Sequence, residues 1–176
     1  MLLQVGAASA QAQTKEPARY VLSGSAGLAL RITRASEFGQ SQLAPSYADT
    51  LVGYVLPAPR GYRHGFGVGA AMNLARDGGY VLPVYAAQQL ALMPAYLGYY
   101  DLGRDLVALG HLGLPLLVSG GRSFGLEAGF MFGYRLLAGA GVFAQLDLDA
   151  FAGAQSRVNL LASLALGVVV DYEVLP

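Results

Sequence analysis

Cysteine is absent from the 176 residues, so the chain has no disulfide framework, no cysteine-ligated metal and no thiol nucleophile. Charge is scarce as well, because only 12% of the residues are charged. The formal net charge of zero provides no basic surface, and we therefore expect no nucleic-acid partner.

Apolar residues make up 55% of the chain, and they are accompanied by 24 glycines and 11 tyrosines. A soluble domain as apolar as this is usually rich in Leu, Ile and Val, with less glycine and tyrosine. The length corresponds to one domain and is sufficient to close a single sheet on itself. The composition therefore indicates a membrane protein with one domain.

A two-residue alternation of apolar with small or polar side chains recurs along the chain and predicts strands. The alternation extends over ten or more residues in the clearest cases, whereas strands of globular proteins average about five or six and bilayer-crossing strands need about nine to eleven. It is weakest in the second of the eight segments. The predicted strands are Tyr20–Thr33, Tyr47–Leu56, Tyr62–Ala75, Gln89–Asp101, Leu106–Val118, Ser123–Arg135, Val142–Ala152 and Val158–Val174.

The charged residues indicate which face of these strands meets lipid. They lie on the face that carries glycine and serine, and His64, near a strand end, is the only ionisable residue placed on the apolar face. A charge facing lipid at the midplane costs about 2–4 kcal/mol, so this segregation is typical of a transmembrane barrel. A soluble barrel of lipocalin type has the reverse polarity. The predicted lumen charge network consists of Arg31, Arg63, His111, Glu127, Arg135, Asp147, Asp149, Asp171 and Glu173.

A bundle of membrane-spanning helices is the opposing interpretation. The uncharged run Gly78–Tyr100 is long enough to cross a bilayer as a helix, but it contains Pro83, Pro94 and the pair Gln88-Gln89. At about 100° per residue, the alternating residues of the other segments would scatter around a helix. We therefore predict an all-β fold, an antiparallel up-and-down transmembrane β-barrel of eight strands.

The predicted connections and the tyrosines agree on the orientation of this barrel. Outer-membrane barrels have short periplasmic turns and longer external loops, and a phenol ring suits the headgroup boundary. The predicted tight turns are Pro57–Gly61, Leu102–Asp105 and Leu137–Gly141. The predicted loops are Arg34–Ser46, Arg76–Gln88, Ser119–Arg122 and Gly153–Arg157, of which the first two are long. The predicted periplasmic aromatic girdle consists of Tyr20, Tyr54, Tyr62, Tyr100, Tyr134 and Tyr172.

The C-terminal segment 168–176 resembles the last strand of bacterial outer-membrane proteins. Val170, Tyr172 and Val174 match its apolar alternation, whereas Pro176 stands where that class has a terminal aromatic residue. From roughly residue 18 onward the pattern resembles the small eight-stranded barrels of the OmpA, OmpX and OmpW type. The resemblance implies a bacterial outer-membrane location, contact with lipid and lipopolysaccharide, and recognition by the barrel-assembly machinery. It implies no catalytic residue, and we expect a monomer.

The first residues of the chain fit an export signal. Met1 to Ala8 are largely apolar, and Ala10-Gln11-Ala12 matches the small-x-small pattern that precedes cleavage. No Lys or Arg precedes Lys15, so the positively charged start of a signal is missing. We interpret residues 1–12 as an incomplete signal peptide and residues 13–176 as a single barrel domain.

Charges inside a narrow barrel must be paired or hydrogen-bonded, so we favour a polar lumen that is filled by salt-bridged side chains. Tight turns should bring Glu127 beside Asp149 and near His111, and should gather Arg63 and Arg135 with Asp171 and Glu173 at the periplasmic end. A His with two carboxylates can also hold a metal or orient a nucleophile, which is the alternative interpretation of the first group. No ligand spacing and no neighbouring serine supports it, so we expect no metal, no cofactor and no enzymatic activity.

Three classes of function are compatible with the sequence. The favoured one is a non-enzymatic barrel with a structural or surface-interaction role. The second is a narrow channel for ions or small apolar solutes. The third is a lipid-modifying enzyme, but deacylases built on such barrels carry a His-x-Ser pair, whereas His111 is followed by Leu112-Gly113 and His64 by Gly65-Phe66.

Overall fold

The computed structural model describes residues 15–34, 39–59, 61–73, 90–103, 105–118, 123–152 and 158–174, with the backbone alone for 31–34, 39–46, 73 and 159. The predicted signal peptide (1–12) and the predicted loops 76–88, 119–122 and 153–157 lie outside these ranges. The strands are β1 (Arg19–Arg34), β2 (Gly39–Val55), β3 (Tyr62–Asn73), β4 (Leu90–Asp101), β5 (Leu106–Gly113), β6 (Leu116–Leu117), β7 (Ser123–Leu137), β8 (Ala140–Ala152) and β9 (Val158–Glu173).

The strands pair antiparallel in one sheet that closes on itself. The first strand, β1, pairs with both β2 and the last strand, β9, while β3 pairs with both β2 and β4. Both β5 and β6 lie between β4 and β7, so they are two parts of one barrel strand. The sheet is therefore an eight-stranded up-and-down barrel, and the predicted all-β fold is confirmed. Among the residues described, no helix is both long and apolar enough to cross a membrane.

The break between β5 and β6 falls at Leu114 and Pro115, inside the predicted strand Leu106–Val118. Proline has no N–H to donate to a ladder. The neighbouring hydrogen bonds continue, because Leu114 N donates to Pro94 O at 3.1 Å and Gly125 N donates to Pro115 O at 2.9 Å. The barrel wall is therefore continuous at this point.

The second strand is longer than the sequence pattern indicated. It begins at Gly39, so the prediction of a long loop over Arg34–Ser46 is wrong for most of that segment. The ladder between β1 and β2 has a register shift between Gly27 and Ala29. Such a shift changes the odd–even relation between the two strands, so a strict period of two cannot continue past Tyr47 towards the N-terminal end of β2.

Three tight turns lie at one end of the barrel, here called the turn end. They join β2 to β3, β4 to β5 and β7 to β8, as predicted. Each contains a glycine with positive φ, namely Gly61 (118°), Gly103 (152°) and Gly139 (80°). Residues with a side chain rarely adopt such values, so glycine permits each reversal of the chain.

The outer surface is apolar over most of its described area. Away from the turns, the even-numbered strand side chains that the structure describes point outward, and Leu126, Leu148 and Leu166 are between 57% and 70% exposed. Odd-numbered side chains face the lumen and include the buried Arg63 and His111. This polarity is the one that a bilayer-spanning barrel requires and that a soluble barrel reverses.

The middle of the lumen is apolar, which departs from the polar lumen that the sequence predicted. Side chains from β1, β2, β4, β5, β7, β8 and β9 meet there, and Val55, Leu97, Leu109 and Met131 are at most 2% exposed. We call this cluster the apolar layer. It consists of Val21, Leu51, Val55, Met93, Ala95, Leu97, Tyr99, Val107, Leu109, Met131, Phe143 and Val169.

Glycines of β2 and β3 make room for this layer. A Cβ placed on Gly53 would lie 2.3 Å from Leu97 Cδ1, and one on Gly67 would lie 3.3 Å from the same atom. The alternating glycines of Tyr62–Ala75 therefore serve close packing of the interior, as their position in a strand predicted.

Candidate functional site

A salt-bridged network fills the lumen at the turn end. Arg135 of β7 lies at its centre, with Nη2 2.7 Å from Asp101 Oδ1 and 2.8 Å from Asp171 Oδ2. The same guanidinium group donates to the Tyr99 hydroxyl. One arginine therefore joins carboxylates of β4 and β9 across the barrel. We call this cluster the basal network; it consists of Arg19, Arg63, Asp101, Arg135, Asp171 and the hydroxyl group of Tyr99, whose ring belongs to the apolar layer.

Two further arginines complete the basal network. Arg63 is fully buried, and its Nη2 donates to Asp101 Oδ2 at 2.5 Å. Arg19 Nη1 lies 3.1 Å from Asp171 Oδ2, and its Nη2 bonds Glu173 at the rim. Each of these arginines contacts a carboxylate, which is the condition under which buried charges are tolerated.

A second polar cluster lies beyond the apolar layer, further from the turn end. His111 Nε2 is 2.7 Å from Glu127 Oε1 and 3.7 Å from Asp147 Oδ1. Glu127 and Asp149 are direct cross-strand partners. The side chains of His111 and Asp147 are 2% and 4% exposed, so these groups are shielded from bulk solvent. We call this cluster the acidic belt; it consists of Asp49, His111, Glu127, Gln145, Asp147 and Asp149.

Neutral donors orient the carboxylates of the acidic belt. The Gln145 amide Nε2 donates to both oxygens of Asp147, at 2.9 and 2.8 Å, and to Asp49 Oδ2 at 3.2 Å. Ser163 Oγ donates to Asp147 Oδ2 at 3.3 Å. Asp147 is therefore held by two neighbouring side chains while one of its oxygens faces His111.

The predicted lumen charge network is divided between these two clusters. Arg63, Arg135 and Asp171 lie in the basal network, Glu173 lies at its rim, and His111, Glu127, Asp147 and Asp149 lie in the acidic belt. The backbone of Arg31 belongs to β1, and its side chain is outside the described part of the chain. The two clusters are separated by the apolar layer and do not form one continuous plug.

The predicted lumen charge network lacked five members of the two clusters, Arg19, Asp49, Tyr99, Asp101 and Gln145, of which Arg19 and Asp49 lie where the strand pattern ends or is weakest. Arg19 immediately precedes the predicted strand Tyr20–Thr33, and Asp49 lies in the weakest of the predicted strands. Both have the odd numbering that the other lumen-facing residues share. The rule that odd-numbered residues face the lumen identifies Arg19 when the first strand is extended by one residue, and it identifies Asp49 when it is applied to β2.

The six tyrosines of the predicted girdle are all exposed, from 37% for Tyr54 to 62% for Tyr172. The register pairs Tyr20 with Tyr54 and with Tyr172, and pairs Tyr62 with Tyr100. These rings therefore lie at similar levels around the turn end of the barrel, where their hydroxyl groups can reach the polar boundary of a bilayer.

His64 lies on the outer surface beside this girdle. Its Nδ1 is hydrogen-bonded to the Tyr96 hydroxyl, which lies 3.0 Å from the Tyr62 hydroxyl. The Tyr62 ring stands edge-on to the imidazole, with 4.9 Å between the ring centres. The outward histidine therefore has a polar partner among the interfacial tyrosines.

The described histidine inside the barrel, His111, has carboxylate neighbours. Nucleophilic catalysis needs a hydroxyl or thiol within hydrogen-bond reach of a base. The Ser163 hydroxyl bonds Asp147 rather than His111, and no other hydroxyl in the described ranges is hydrogen-bonded to His111. The acidic belt can instead hold a cation or share protons among its carboxylates.

A closed eight-stranded barrel with an apolar outside and charges inside defines a transmembrane β-barrel of the outer-membrane class. The outer membrane, predicted from the sequence, is the location that corresponds to this fold and this lipid-facing surface.

Solved structures share the fold. Ail, the attachment invasion locus protein of Yersinia pestis, is 10% identical and matches 89% of this chain and 99% of its own, with a TM-score of 0.51. Neisserial surface protein A is 14% identical over 88% of this chain and 99% of its own, with a TM-score of 0.52. A de novo designed transmembrane β-barrel is 14% identical over 91% and 99%, with a TM-score of 0.50.

At these identities the likeness concerns the fold and carries over no activity. No protein-family model matches the sequence, and no curated protein matches it. The predicted resemblance to the small outer-membrane barrels is therefore confirmed as a resemblance of architecture.

Proposed function

We propose that this chain is a closed, non-enzymatic outer-membrane barrel with a structural or surface-interaction role. The supporting observation is the apolar layer, in which Leu97, Leu109 and Met131 are at most 2% exposed. An ion on this path would have to leave its hydration shell between side chains that offer it no polar partner, which is unfavourable. The apolar layer thus supports a sealed barrel over a channel.

The arrangement of polar groups also supports a role without catalysis. Arg135 and Arg63 are held by carboxylates, and His111 has carboxylate neighbours in place of a nucleophile. A lipid-modifying enzyme would need a reactive group that reaches the lipid face. The partners that fit the proposal are bilayer lipid and lipopolysaccharide outside the barrel, and the barrel-assembly machinery during insertion.

Conductance separates the sealed barrel from the channel. We expect no discrete conductance steps when the full chain, refolded in detergent, is added to a planar bilayer, because the apolar layer excludes water and ions. A general porin handled identically serves as the positive control. Reproducible steps from heat-modifiable, folded protein would show that the lumen is open and would contradict the proposal.

Truncation of Leu97 tests whether the apolar layer is tightly packed. Leu97→Ala should lower the free energy of unfolding by about 2–5 kcal/mol, as for other filled cores, whereas a water-lined channel would tolerate the change. Leu92→Ala on the same strand is the matched control, since Leu92 is 40% exposed on the outer surface. Urea titration in lipid vesicles measures both. Equal, small effects of the two variants would contradict a sealed lumen.

A further inference from the structure

Among the side chains that the structure describes, the acidic belt contains four carboxylates and no arginine or lysine. Asp49, Glu127, Asp147 and Asp149 lie within it, and the described arginines that face the lumen, Arg19, Arg63 and Arg135, all belong to the basal network. Buried carboxylates at close range cannot all remain ionised unless a cation neutralises them.

The ligand atoms of the belt have the spacing of a metal site. His111 Nε2, one Glu127 oxygen and one Asp147 oxygen all lie within 4.8 Å of one another. In a tetrahedral zinc site, bonds of about 2.0–2.2 Å place neighbouring ligand atoms about 3.4 Å apart. The distances from His111 Nε2, 2.7 Å to Glu127 and 3.7 Å to Asp147, lie on either side of that value. Small side-chain rotations would bring the three atoms around one ion.

Unpaired polar atoms provide a second, independent observation. The His111 side chain is 2% exposed, and its Nδ1, on the ring edge away from Nε2, has no hydrogen-bond partner within the described part of the chain. Ser25 is 8% exposed, its Oγ is equally without a partner there, and it lies beside Asp49 in the β1–β2 register. Buried polar atoms without partners in a native structure point to a water molecule or ion that completes the site.

Neighbouring neutral donors orient one of the three candidate ligands, Asp147. Gln145 and Ser163 hold Asp147 in place through hydrogen bonds to its carboxylate. Such outer partners fix the direction of a ligating carboxylate. The apolar layer shields the site from the basal network, so the arginines there do not compete for its carboxylates.

We propose that the acidic belt binds one divalent transition-metal ion of the zinc class, with His111 Nε2, Glu127 and Asp147 as the protein ligands. An imidazole with two carboxylates favours such an ion over Mg²⁺ or Ca²⁺, which prefer oxygen ligands throughout. The proposal differs from the sequence-based expectation of no metal. It also differs from the alternative interpretation of the sequence, because Asp147 takes the place of Asp149 as a ligand. It is independent of whether the barrel conducts.

Zinc binding by the folded barrel tests the proposal. The refolded full chain, freed of metal with a chelator, is dialysed against Zn²⁺, with excess Mg²⁺ and Ca²⁺ in parallel samples. We expect about one Zn²⁺ per barrel, not displaced by the other two ions, and visible absorption typical of tetrahedral coordination when Co²⁺ replaces Zn²⁺. Absence of stoichiometric Zn²⁺ binding to heat-modifiable protein would overturn the proposal.

Variants locate the ion. His111→Gln, Glu127→Gln and Asp147→Asn should each weaken Zn²⁺ binding at least about tenfold, because each removes one of three ligands. His64→Gln and Glu173→Gln, which alter the other histidine and an exposed carboxylate, should leave the affinity unchanged. Binding that survives at His111→Gln but is lost at His64→Gln would assign the ion to the outer surface and overturn the proposal.

Gly129→Ala probes the site without removing a ligand. A Cβ there would lie 2.0 Å from His111 Cε1 and 2.2 Å from Asp147 Oδ1, so both ligands must move. We expect a folded barrel with weakened Zn²⁺ binding and altered Co²⁺ absorption. Unchanged binding and absorption would show that these residues do not hold the ion.

The alternative to a metal ion is an arginine that neutralises the carboxylates of the acidic belt. The register places Arg31 opposite Leu161, which lies opposite Asp149. If the wild-type chain fails to bind Zn²⁺ and Arg31→Gln binds it, the belt is neutralised by an ion pair and the proposal is overturned. Equal binding by both chains supports it.

Discussion

Replacing Arg135 with methionine should lower the free energy of unfolding by about 3–5 kcal/mol, because the change leaves buried carboxylates without their central partner. Arg135 Nη2 contacts Asp101 at 2.7 Å and Asp171 at 2.8 Å, and the Asp171 side chain is 7% exposed. Methionine retains length and apolar contact, so the lost charge dominates the effect. Urea titration in lipid vesicles, followed by heat-modifiable gel migration, measures it.

A double-mutant cycle separates the ion pair from general packing. Asp171→Asn alone and Arg135→Met alone should each destabilise the barrel, and the double variant should lose less than their sum, because each single variant already breaks the shared contact. Arg135→Lys should fall between wild type and Arg135→Met, since an ammonium group cannot reach both carboxylates as the planar guanidinium does. Strict additivity in the cycle would mean that the two residues are not coupled.

A positive charge on the middle of the outer surface should also be strongly destabilising. Leu146 lies near the middle of β8 and is 52% exposed. Leu146→Arg should cost about 2–4 kcal/mol if that surface faces the bilayer midplane. The same urea titration in vesicles measures the loss.

The control for this prediction is a leucine at the turn end. Leu137 is 74% exposed, next to the turn between β7 and β8, and Leu137→Arg should cost about 0–1 kcal/mol because the charge can reach the headgroups. A soluble barrel would tolerate both arginines equally. Similar stabilities for the two variants would therefore contradict a membrane-spanning orientation.

The sequence predicted the strands and their faces because both depend on local alternation. The predicted ends of Ser123–Arg135 and Val158–Val174 lie within two residues of the ends of β7 and β9. The pairing of adjacent strands joined by a tight turn could also be predicted from the sequence. Glu127 and Asp149 were expected as neighbours for this reason, and the register pairs them.

Contacts across the lumen could not be derived in the same way. Arg135 of β7 reaches Asp101 of β4, and Gln145 of β8 reaches Asp49 of β2, although neither pair of strands is adjacent in the sheet. Such contacts depend on strand tilt and barrel diameter, which alternation does not encode. One sign of the apolar layer is present in the sequence, because Leu97 is apolar although it lies on the inner face of the predicted strand Gln89–Asp101. It indicates an apolar layer only once the apolar side chains of other strands are known to lie beside it.

The pairing of β1 with β9 has a consequence for how the barrel finishes folding. A slip of one residue would turn every outer side chain inward, so the smallest slip that preserves the faces is two residues, or about 6.8 Å. The outer residues of this seam, such as Leu22, Ala26 and Leu166, are similar enough to accept that error. Arg19 opposes the slip in one direction only, because that slip separates it from Asp171, whereas the opposite slip brings it directly opposite Asp171. The contact between Arg19 and Asp171 at the end of the seam therefore disfavours one of the two neighbouring registers, which contact with lipid alone would tolerate.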